Sequence, residues 1–499
     1  MTDTIKELFS DVEATIIGNE NLSVSRIAYS TKDVGYGDVF FCIVGLKVDG
    51  HSFAQEAIDK GASAIVVERE VYINDTGLTI IVVKDTRKCM AAVASKLAGC
   101  PTKKLRVVGV TGTNGKTTTT YLIDHICRHN SLKTGVIGTI GASINGEIIP
   151  TSHTTPESVI LQNIFAQMVD EGVTNVAMEV SSHALDLDRC WHVNFSVTAF
   201  TNLTQDHLDY HKTIEEYFEA KARLFSAEYP AARAICVDNK YGKILAARCS
   251  ATEDKVLTFG FTDEANITVE NVDYCVSGTT LEILYDGDAY KIQYPLVGKF
   301  NVENVMCALA VGLQLGFSLD SIIEALGCIP QVPGRLQRVT LDNSQATQLL
   351  PSVYVDYAHT PDALSNAIAS LRGISSQKLI VVFGCGGNRD RGKRPLMGRA
   401  ALAADHVVVT SDNPRDEEPA DIIADIVCGM NLGDNGDMVD VVEDRADAIS
   451  QAIRIANPND IVLIAGKGHE SYQIVKGEVL DFDDRIIAAN KLAAMIAAQ

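Results

Sequence analysis

The chain has 499 residues, 46% apolar and 21% charged, with 64 acidic against 43 basic side chains and a net charge of −21. Such a length exceeds one core and points to roughly three domains, while the acidic balance excludes a general nucleic-acid-binding surface. No apolar run is long enough to span a bilayer and the N-terminus lacks a signal-peptide pattern, so a cytoplasmic protein without membrane insertion is expected.

Val39–Leu46 and Ser63–Glu68 are strand-like, and "FAQEAIDKGA" between them has helical spacing, so residues 1–102 read as a small α/β domain. Pro101 in "CPTKK" discourages a continuing helix and marks a linker. Arg106–Val110 predicts a strand that runs into "GVTGTNGKTTTT" (Gly109–Thr120), with a helix over "TTTTYLIDHICRH". "NVAMEV", "VTAFTN" and "AICVD" are further buried strands, the grammar of a mostly parallel sheet covered by helices. Between residues 266 and 294 the pattern turns to β-rich alternation with a turn signal at Asp286-Gly287, which predicts a small antiparallel addition to the central domain, residues 103–333. After "QVPGRLQ" (Gln331–Gln337) a second, Rossmann-like α/β series occupies 334–499, with strands in "SVYVDYAH", "KLIVVFGCGG", "HVVVTSDNP" and "DIVLIAGKGHE". Ligands of such sheets gather at the carboxyl ends of strands, where these runs turn polar or glycine-rich. The twelve cysteines form no C-x-x-C pair and no zinc spacing, so buried thiols in a reducing compartment are expected.

The glycine-rich stretch departs from the strict phosphate-loop pattern, which would place a glycine at Val110. Gly112, Gly115, Lys116 and Thr117 are in register. Between a strand and a helix, Gly112, Thr113, Asn114, Gly115, Lys116, Thr117 and Thr118 form a candidate ATP site: backbone N–H groups and the helix N-terminus face the anion, Lys116 adds charge, and the Thr117 hydroxyl can ligate Mg²⁺. Three later segments carry Glu179, His207 and Lys221. Taken singly, these read as a capping or surface carboxylate, a turn histidine and a solvated helix lysine.

"TGTNGKTT" resembles the ATP loop of the Mur ligases, whose pattern accepts a non-glycine where Val110 stands. This family joins amino acids to a cell-wall precursor, and folylpolyglutamate synthetases are its relatives. The resemblance implies that Thr117 and Glu179 hold one Mg²⁺, that Glu179 bridges to a second ion with His207, and that Lys221 is carbamylated by CO₂. The carbamate has a physical rationale: a positive lysine beside two cations is repelled, whereas its carbamate is an anionic oxygen donor suited to a hard metal. The resemblance further places Asn301, Arg335 and Asp356 near the adenine, phosphate and ribose, with a helix N-cap and a surface ion pair as the plain alternatives for Asn301 and Arg335.

"YSTKDVGYGDVFFCIVG" (Tyr29–Gly45) resembles the uridine-nucleotide-binding start of the member that adds the third residue of the peptide stem. Ser30 is then a contact to UDP, and Thr154, Thr155, Ser181 and Arg189 hold the muramoyl dipeptide; Leu187 stands where the family has glutamine. "DNPRDEEP" places Asp412, Asn413, Pro414 and Arg415 in a motif of diaminopimelate-adding members, which lysine-adding ones lack at the arginine. Diaminopimelate carries a second carboxylate that a guanidinium can grip with paired hydrogen bonds. Arg415 is the expected specificity residue, its alternative being a structural ion pair with Glu417 or Glu418. Arg389 is the expected second cation, and Gly466 and Glu470 would meet the remote ammonium group. The implied enzyme is a monomeric ATP- and Mg²⁺-dependent ligase that adds meso-2,6-diaminopimelate to UDP-MurNAc-L-Ala-D-Glu through an acyl phosphate. A lysine-adding or folate-linked ligase, or a catalytically silent homologue, are the competing readings; Arg415, the uridine-type first domain, and intact Lys116, Glu179, His207 and Lys221 speak against them.

Overall fold

The computed structural model describes residues 3–74, 77–251, 255–341 and 350–497. They divide into two compact units, Met1–Thr268 with Asn304–Ile322, and Val269–Glu303 with Ile323–Gln499.

Unit 1 contains two main sheets besides a two-stranded pairing of Asp3–Thr4 with Ser23–Val24. The smaller has five strands in the spatial order Ala14–Ile17, Thr79–Val83, Ala64–Val67, Val39–Phe41, Ile27–Ala28, parallel except for its first pair. The strand expected over Val39–Leu46 stops at Phe41, because the chain turns back on itself: Gly45 N donates to Val48 O at 3.0 Å and Gly50 N to Ile43 O at 2.8 Å.

The larger sheet is built around β1 (Arg106–Thr111), flanked on one side by β2 (Asn175–Glu179) and on the other by β3 (Phe195–Phe200), both parallel to it. The run "VVGVT" is buried throughout, as expected of a strand covered on both faces. Gly109 lets the Phe195 ring lie against it, where a Cβ would stand 2.7 Å from Cε1. β1 feeds α1 (Lys116–His129), whose Leu122, Ile123 and Ile126 face the core and whose last turn carries Arg128 and His129, favourable at the negative end of the helix dipole. The parallel register aligns Val110 with Glu179 and Thr111 with Phe200, so three strand ends deliver Gly112, Glu179 and Thr201 to one edge.

In unit 2 the strands Gly278–Tyr285 and Asp288–Tyr294 form a hairpin at Asp286 (φ 53°) and Gly287 (φ 86°), the turn anticipated from the Asp-Gly pair. The main sheet of this unit has six strands in the order Gln337–Arg338, β4 (Ser352–Asp356), β7 (Ile461–Ala465), β5 (Leu379–Phe383), β6 (His406–Val409), Val439–Val441, all parallel but the first. Ile380 and Val382 of β5 pack into one core and Leu379, Val381 and Phe383 into another, so helices cover both faces. None of the twelve cysteines, all among the described residues, is joined in a disulfide. No described helix is long and apolar enough to cross a membrane.

Candidate active site

Val110 is fully buried inside β1, so the position where the strict pattern has glycine is a sheet position in this chain and the loop starts at Gly112. Gly112 (φ 151°) and Gly115 (φ 85°) are the two places where the loop needs glycine: a Cβ would collide with Thr201 Oγ1 at the first and Asn304 Oδ1 at the second. The loop is held from β3's carboxyl end. Thr113 N donates to Asn202 O at 3.0 Å, Asn114 N to Asn202 Oδ1 at 2.9 Å, and Thr204 N to Thr113 Oγ1 at 3.0 Å. Thr118 is buried. Lys116 curls over the loop, its Nζ donating to Gly112 O at 2.9 Å and Thr113 O at 2.8 Å.

Glu179 ends β2 and is 1% exposed. Its Oε1 accepts from Thr117 Oγ1 at 2.9 Å and from Thr139 N at 2.8 Å, and its Oε2 from Thr139 Oγ1 at 3.2 Å. This carboxylate is therefore no surface group. Lys221 is equally buried, on the helix Ile214–Ala222, which packs Tyr217 and Phe218 inward, with Leu224 and Phe225 just beyond it. Its Nζ donates to Gly112 O at 2.8 Å and sits 4.5 Å from the Tyr217 ring centroid. Burial, with Lys116 adding to it, pushes this amine well below the usual lysine range. The solvated-helix alternative is thereby overturned.

His207 has left-handed backbone (φ 52°), a side chain 46% exposed and Asp206 at 3.6 Å. Burial, and then the positive Lys116 and Lys221, lower its pKa against Asp206. The His183 ring meets it edge-on at 4.9 Å and is itself pushed down to about 4, by burial first and then by His207 and His211. No hydrogen bond or ion pair joins His207 to Glu179, and among the described residues no three His, Cys, Asp or Glu side chains close into a metal cluster. The donors that do converge, the Thr117 hydroxyl and the Glu179 carboxylate, are hard oxygens of the kind Mg²⁺ takes. A buried amine of low basicity at Lys221 suits reaction with CO₂.

The dipeptide candidates gather around the same strand end. Thr155 Oγ1 donates to Glu179 O at 2.9 Å and accepts from Ser181 N at 3.1 Å, and Ser181 caps the short helix Ser182–Asp186 by accepting from Ala184 N at 3.2 Å. Thr154 Oγ1 lies 3.2 Å from Thr139 Oγ1. Arg189 donates to Thr155 O at 3.0 Å and pairs with Glu157 at 2.8 Å. Leu187 ends the short helix. Ser30 follows the strand Ile27–Ala28 and accepts from Lys32 N at 3.3 Å.

In unit 2 the candidates sit at strand ends. Asn413 is buried; its Oδ1 accepts from Lys467 Nζ at 3.1 Å and Ile474 N at 3.0 Å, while its Nδ2 donates to Glu470 Oε2 at 2.9 Å. Gly466 (φ 114°) follows β7, and a Cβ there would lie 2.6 Å from Asp412 Oδ2. The buried Arg445 donates to Ser411 O at 3.4 Å and Ala465 O at 3.0 Å and pairs with the equally buried Asp484 at 2.7 Å. Pro414 is buried and Arg389 exposed.

Arg415 (φ 53°) donates from Nη1 to Gly387 O at 2.8 Å. Its ion-pair alternative is overturned: Glu417 is taken by Arg391 at 2.7 Å and Arg394 at 2.9 Å, and Glu418 by Lys476 at 3.1 Å. The N-cap alternative for Asn301 also falls. Asn301 lies inside the helix Lys299–Gln314, with Nδ2 donating to Val297 O at 2.8 Å. Arg335 lies 4.9 Å over the Tyr357 ring, and Asp356 accepts from Leu336 N at 2.6 Å and Ala358 N at 2.9 Å. Burial raises the Asp356 pKa against the pull of Arg335. Sequence reasoning missed Thr139, Asn202, His183, Lys467 and Arg445; the signal for Asn202 and Lys467 was their place two residues past strand ends.

A P-loop-type parallel sheet in one unit and a second α/β sheet with charged strand ends in the other define a nucleotide-binding α/β enzyme. Three family profiles match the chain: "Mur ligase family, catalytic domain" over residues 23–105, "Mur ligase middle domain" over 110–312, and "Mur ligase, glutamate ligase domain" over 334–468. The UDP-N-acetylmuramoyl-L-alanyl-D-glutamate--2,6-diaminopimelate ligase of Geobacillus thermodenitrificans (strain NG80-2) is 44% identical over 473 residues, 94% of each chain. The protein of that name from Thermosynechococcus vestitus is also 44% identical, over 95% of this chain and 94% of its own. A solved structure of a ligase of that name is 34% identical, covers 99% of each chain, and superposes with a TM-score of 0.73. The chain belongs to the Mur ligase family, and it is an ATP-dependent, amide-forming ligase.

Proposed function

We propose that this protein adds meso-2,6-diaminopimelate to the D-glutamate of UDP-MurNAc-L-Ala-D-Glu, as a cytoplasmic monomer built of the segments 1–102, 103–333 and 334–499. The observation that carries the choice of amine is Arg415, whose neighbouring carboxylates Glu417 and Glu418 are claimed by other cations. Its guanidinium then has a carboxylate to gain from the ligand, and meso-diaminopimelate supplies one that lysine lacks. The names of the relatives support the same reading.

In the proposed reaction the glutamate carboxylate attacks the γ-phosphorus of ATP, giving an acyl phosphate and ADP. The amine of diaminopimelate then displaces inorganic phosphate to form the amide. Gly112, Thr113, Asn114, Gly115, Lys116, Thr117 and Thr118 receive the phosphates, with Lys116 exchanging its two loop carbonyls for the terminal phosphate oxygens. Thr117, Glu179, His207 and a carbamylated Lys221 would hold Mg²⁺, which neutralises charge on the transferred group when bound. Asn301, Arg335 and Asp356 are proposed nucleotide contacts. Ser30 is assigned to the UDP moiety, and Thr154, Thr155, Ser181 and Arg189 to the dipeptide. Arg389, Asp412, Asn413, Pro414, Arg415, Gly466 and Glu470 are assigned to the amine.

The test is ATP-dependent phosphate release with the UDP-muramoyl dipeptide and Mg²⁺, offered meso-diaminopimelate or L-lysine in parallel under added bicarbonate. Turnover with diaminopimelate alone is expected. Turnover with lysine alone overturns the Arg415 argument, and turnover with neither makes the chain a silent homologue.

A further inference from the structure

Lys467 is fully buried beside the proposed amine site, and the reaction as written gives it no task. Its Nζ donates to Asn413 Oδ1 at 3.1 Å and to Glu470 Oε2 at 3.3 Å, and Asn413 Nδ2 donates to that same carboxylate oxygen at 2.9 Å. The three side chains close a triangle. Within it Asn413 has one orientation only, since Oδ1 faces two donors, Lys467 and Ile474 N, and Nδ2 faces an acceptor. Glu470 is gripped entirely through Oε2; among the described residues nothing donates to Oε1, and its side chain is 17% exposed. One carboxylate oxygen is therefore left for a ligand ammonium, from a carboxylate already balanced by a buried cation.

We infer that Lys467 sets the amine specificity of this site, by excluding amino acids whose far end carries an ammonium without a carboxylate. The inference rests on the diaminopimelate reading above. Around the far end of the ligand stand three cations, Arg389, Arg415 and Lys467, against two anions, Glu470 and Asp412. Arg445, 4.0 Å from Asp412, is left out of that count because its charge is met by Asp484 at 2.7 Å. The far end of meso-diaminopimelate is a zwitterion, with a carboxylate for Arg415 and an ammonium for Glu470 Oε1. The far end of L-lysine is a bare ammonium that meets a net positive site. Removing Lys467 leaves two cations against two anions and ends that repulsion, while Ile474 N and Glu470 still hold Asn413 in its orientation. Like-charge exclusion of this kind is a common means of specificity.

The test compares kcat/KM for meso-diaminopimelate and L-lysine in the wild type, K467R, K467M and K467Q, with thermal melting of each. The ratio of the two values is independent of the folded fraction, so a merely structural lysine leaves it unmoved. K467R keeps the charge and the wild-type preference. K467M and K467Q lower the preference for diaminopimelate by about tenfold or more, a change of about 1.4 kcal/mol. An unchanged ratio in the folded neutral variants overturns the inference, as does unfolding of both neutral variants at the assay temperature, which makes Lys467 a stability residue. The wild-type row separates the two readings: a wild type that prefers lysine or uses neither amine fails the function, whereas one that prefers diaminopimelate beside neutral variants of unchanged ratio fails only the inference.

Discussion

Lys116 and Lys221 donate to one carbonyl oxygen, that of Gly112, at 2.9 and 2.8 Å. Two ammonium groups on one acceptor repel each other, and the buried one yields: Lys221 is driven well below the ordinary lysine pKa, by burial first and by Lys116 second. For a base with a depressed pKa in the fold, the unfolded chain binds more protons between the two pKa values. The penalty is full below the folded pKa and fades as pH rises towards 10.5. Lys221→Met removes the penalty. The variant is expected to gain about 1 kcal/mol or more at neutral pH, to lose that advantage in alkaline buffer, and to have no ligase activity at any bicarbonate level. Urea unfolding at neutral and alkaline pH, with phosphate-release assays, checks both halves; a variant less stable than wild type at neutral pH would sink the argument.

Val110 answers whether the loop lacks a glycine. It is a fully buried strand residue whose neighbours in the sheet are Glu179 and Ala199. Restoring the strict pattern with Val110→Gly is expected to cost about 2 kcal/mol or more through lost burial and backbone entropy. KM for ATP should stay within about twofold, because a tenfold change would require 1.4 kcal/mol at the nucleotide. A tighter KM for ATP with unchanged stability would place the residue back in the loop.

What the sequence disclosed follows the range of each interaction. The stretch Gly109–Thr120 was legible because strand, glycine turn and helix start are set by neighbours within a few residues, as was the Asp286-Gly287 hairpin. The strand over Val39–Leu46 was over-read, since its last apolar residues, Val44 and Leu46, lie exposed on the turn beyond the sheet. Partners brought by the sheet were invisible: Thr139 stands 40 residues from Glu179, and Asn202 stands 88 residues from Asn114. The Arg415 alternatives failed for the same reason. Glu417 and Glu418 are adjacent in sequence, yet Arg394, 23 residues away, and Lys476 claim them.

Thr139 makes two of the three hydrogen bonds described at the Glu179 carboxylate, one from its hydroxyl. Thr139→Val keeps the backbone donor and the side-chain shape but leaves Oε2 of a buried carboxylate without its donor. The loss of a group that orients a metal-holding carboxylate typically costs 10–100-fold. The apparent Mg²⁺ requirement of the reaction should therefore rise about tenfold or more in this variant, with KM for the amine unchanged. Titration of activity against Mg²⁺ at saturating substrates decides it, and an unaltered Mg²⁺ curve refutes the role.

Arg445 and Asp484 form a fully buried pair, with two hydrogen bonds at 2.8 and 2.7 Å. Arg445 also donates to the carbonyls of Ser411 and Ala465, which precede Asp412 and Gly466, so one guanidinium ties together the strand ends that present both proposed amine contacts. Breaking such a pair leaves an uncompensated buried charge, worth about 3–5 kcal/mol. Arg445→Met should lose that amount in urea unfolding, and Asp484→Asn a smaller one, since its amide can still meet the arginine. Replacing both, as Arg445→Met with Asp484→Leu, should recover part of the loss, because an apolar pair of similar volume often matches a buried ion pair. The double variant nonetheless has nothing to hold the two carbonyls, so its KM for diaminopimelate should exceed the wild-type value while KM for ATP stays near it. A wild-type KM for diaminopimelate in the double variant would reduce the pair to a packing element with no part in shaping the amine site.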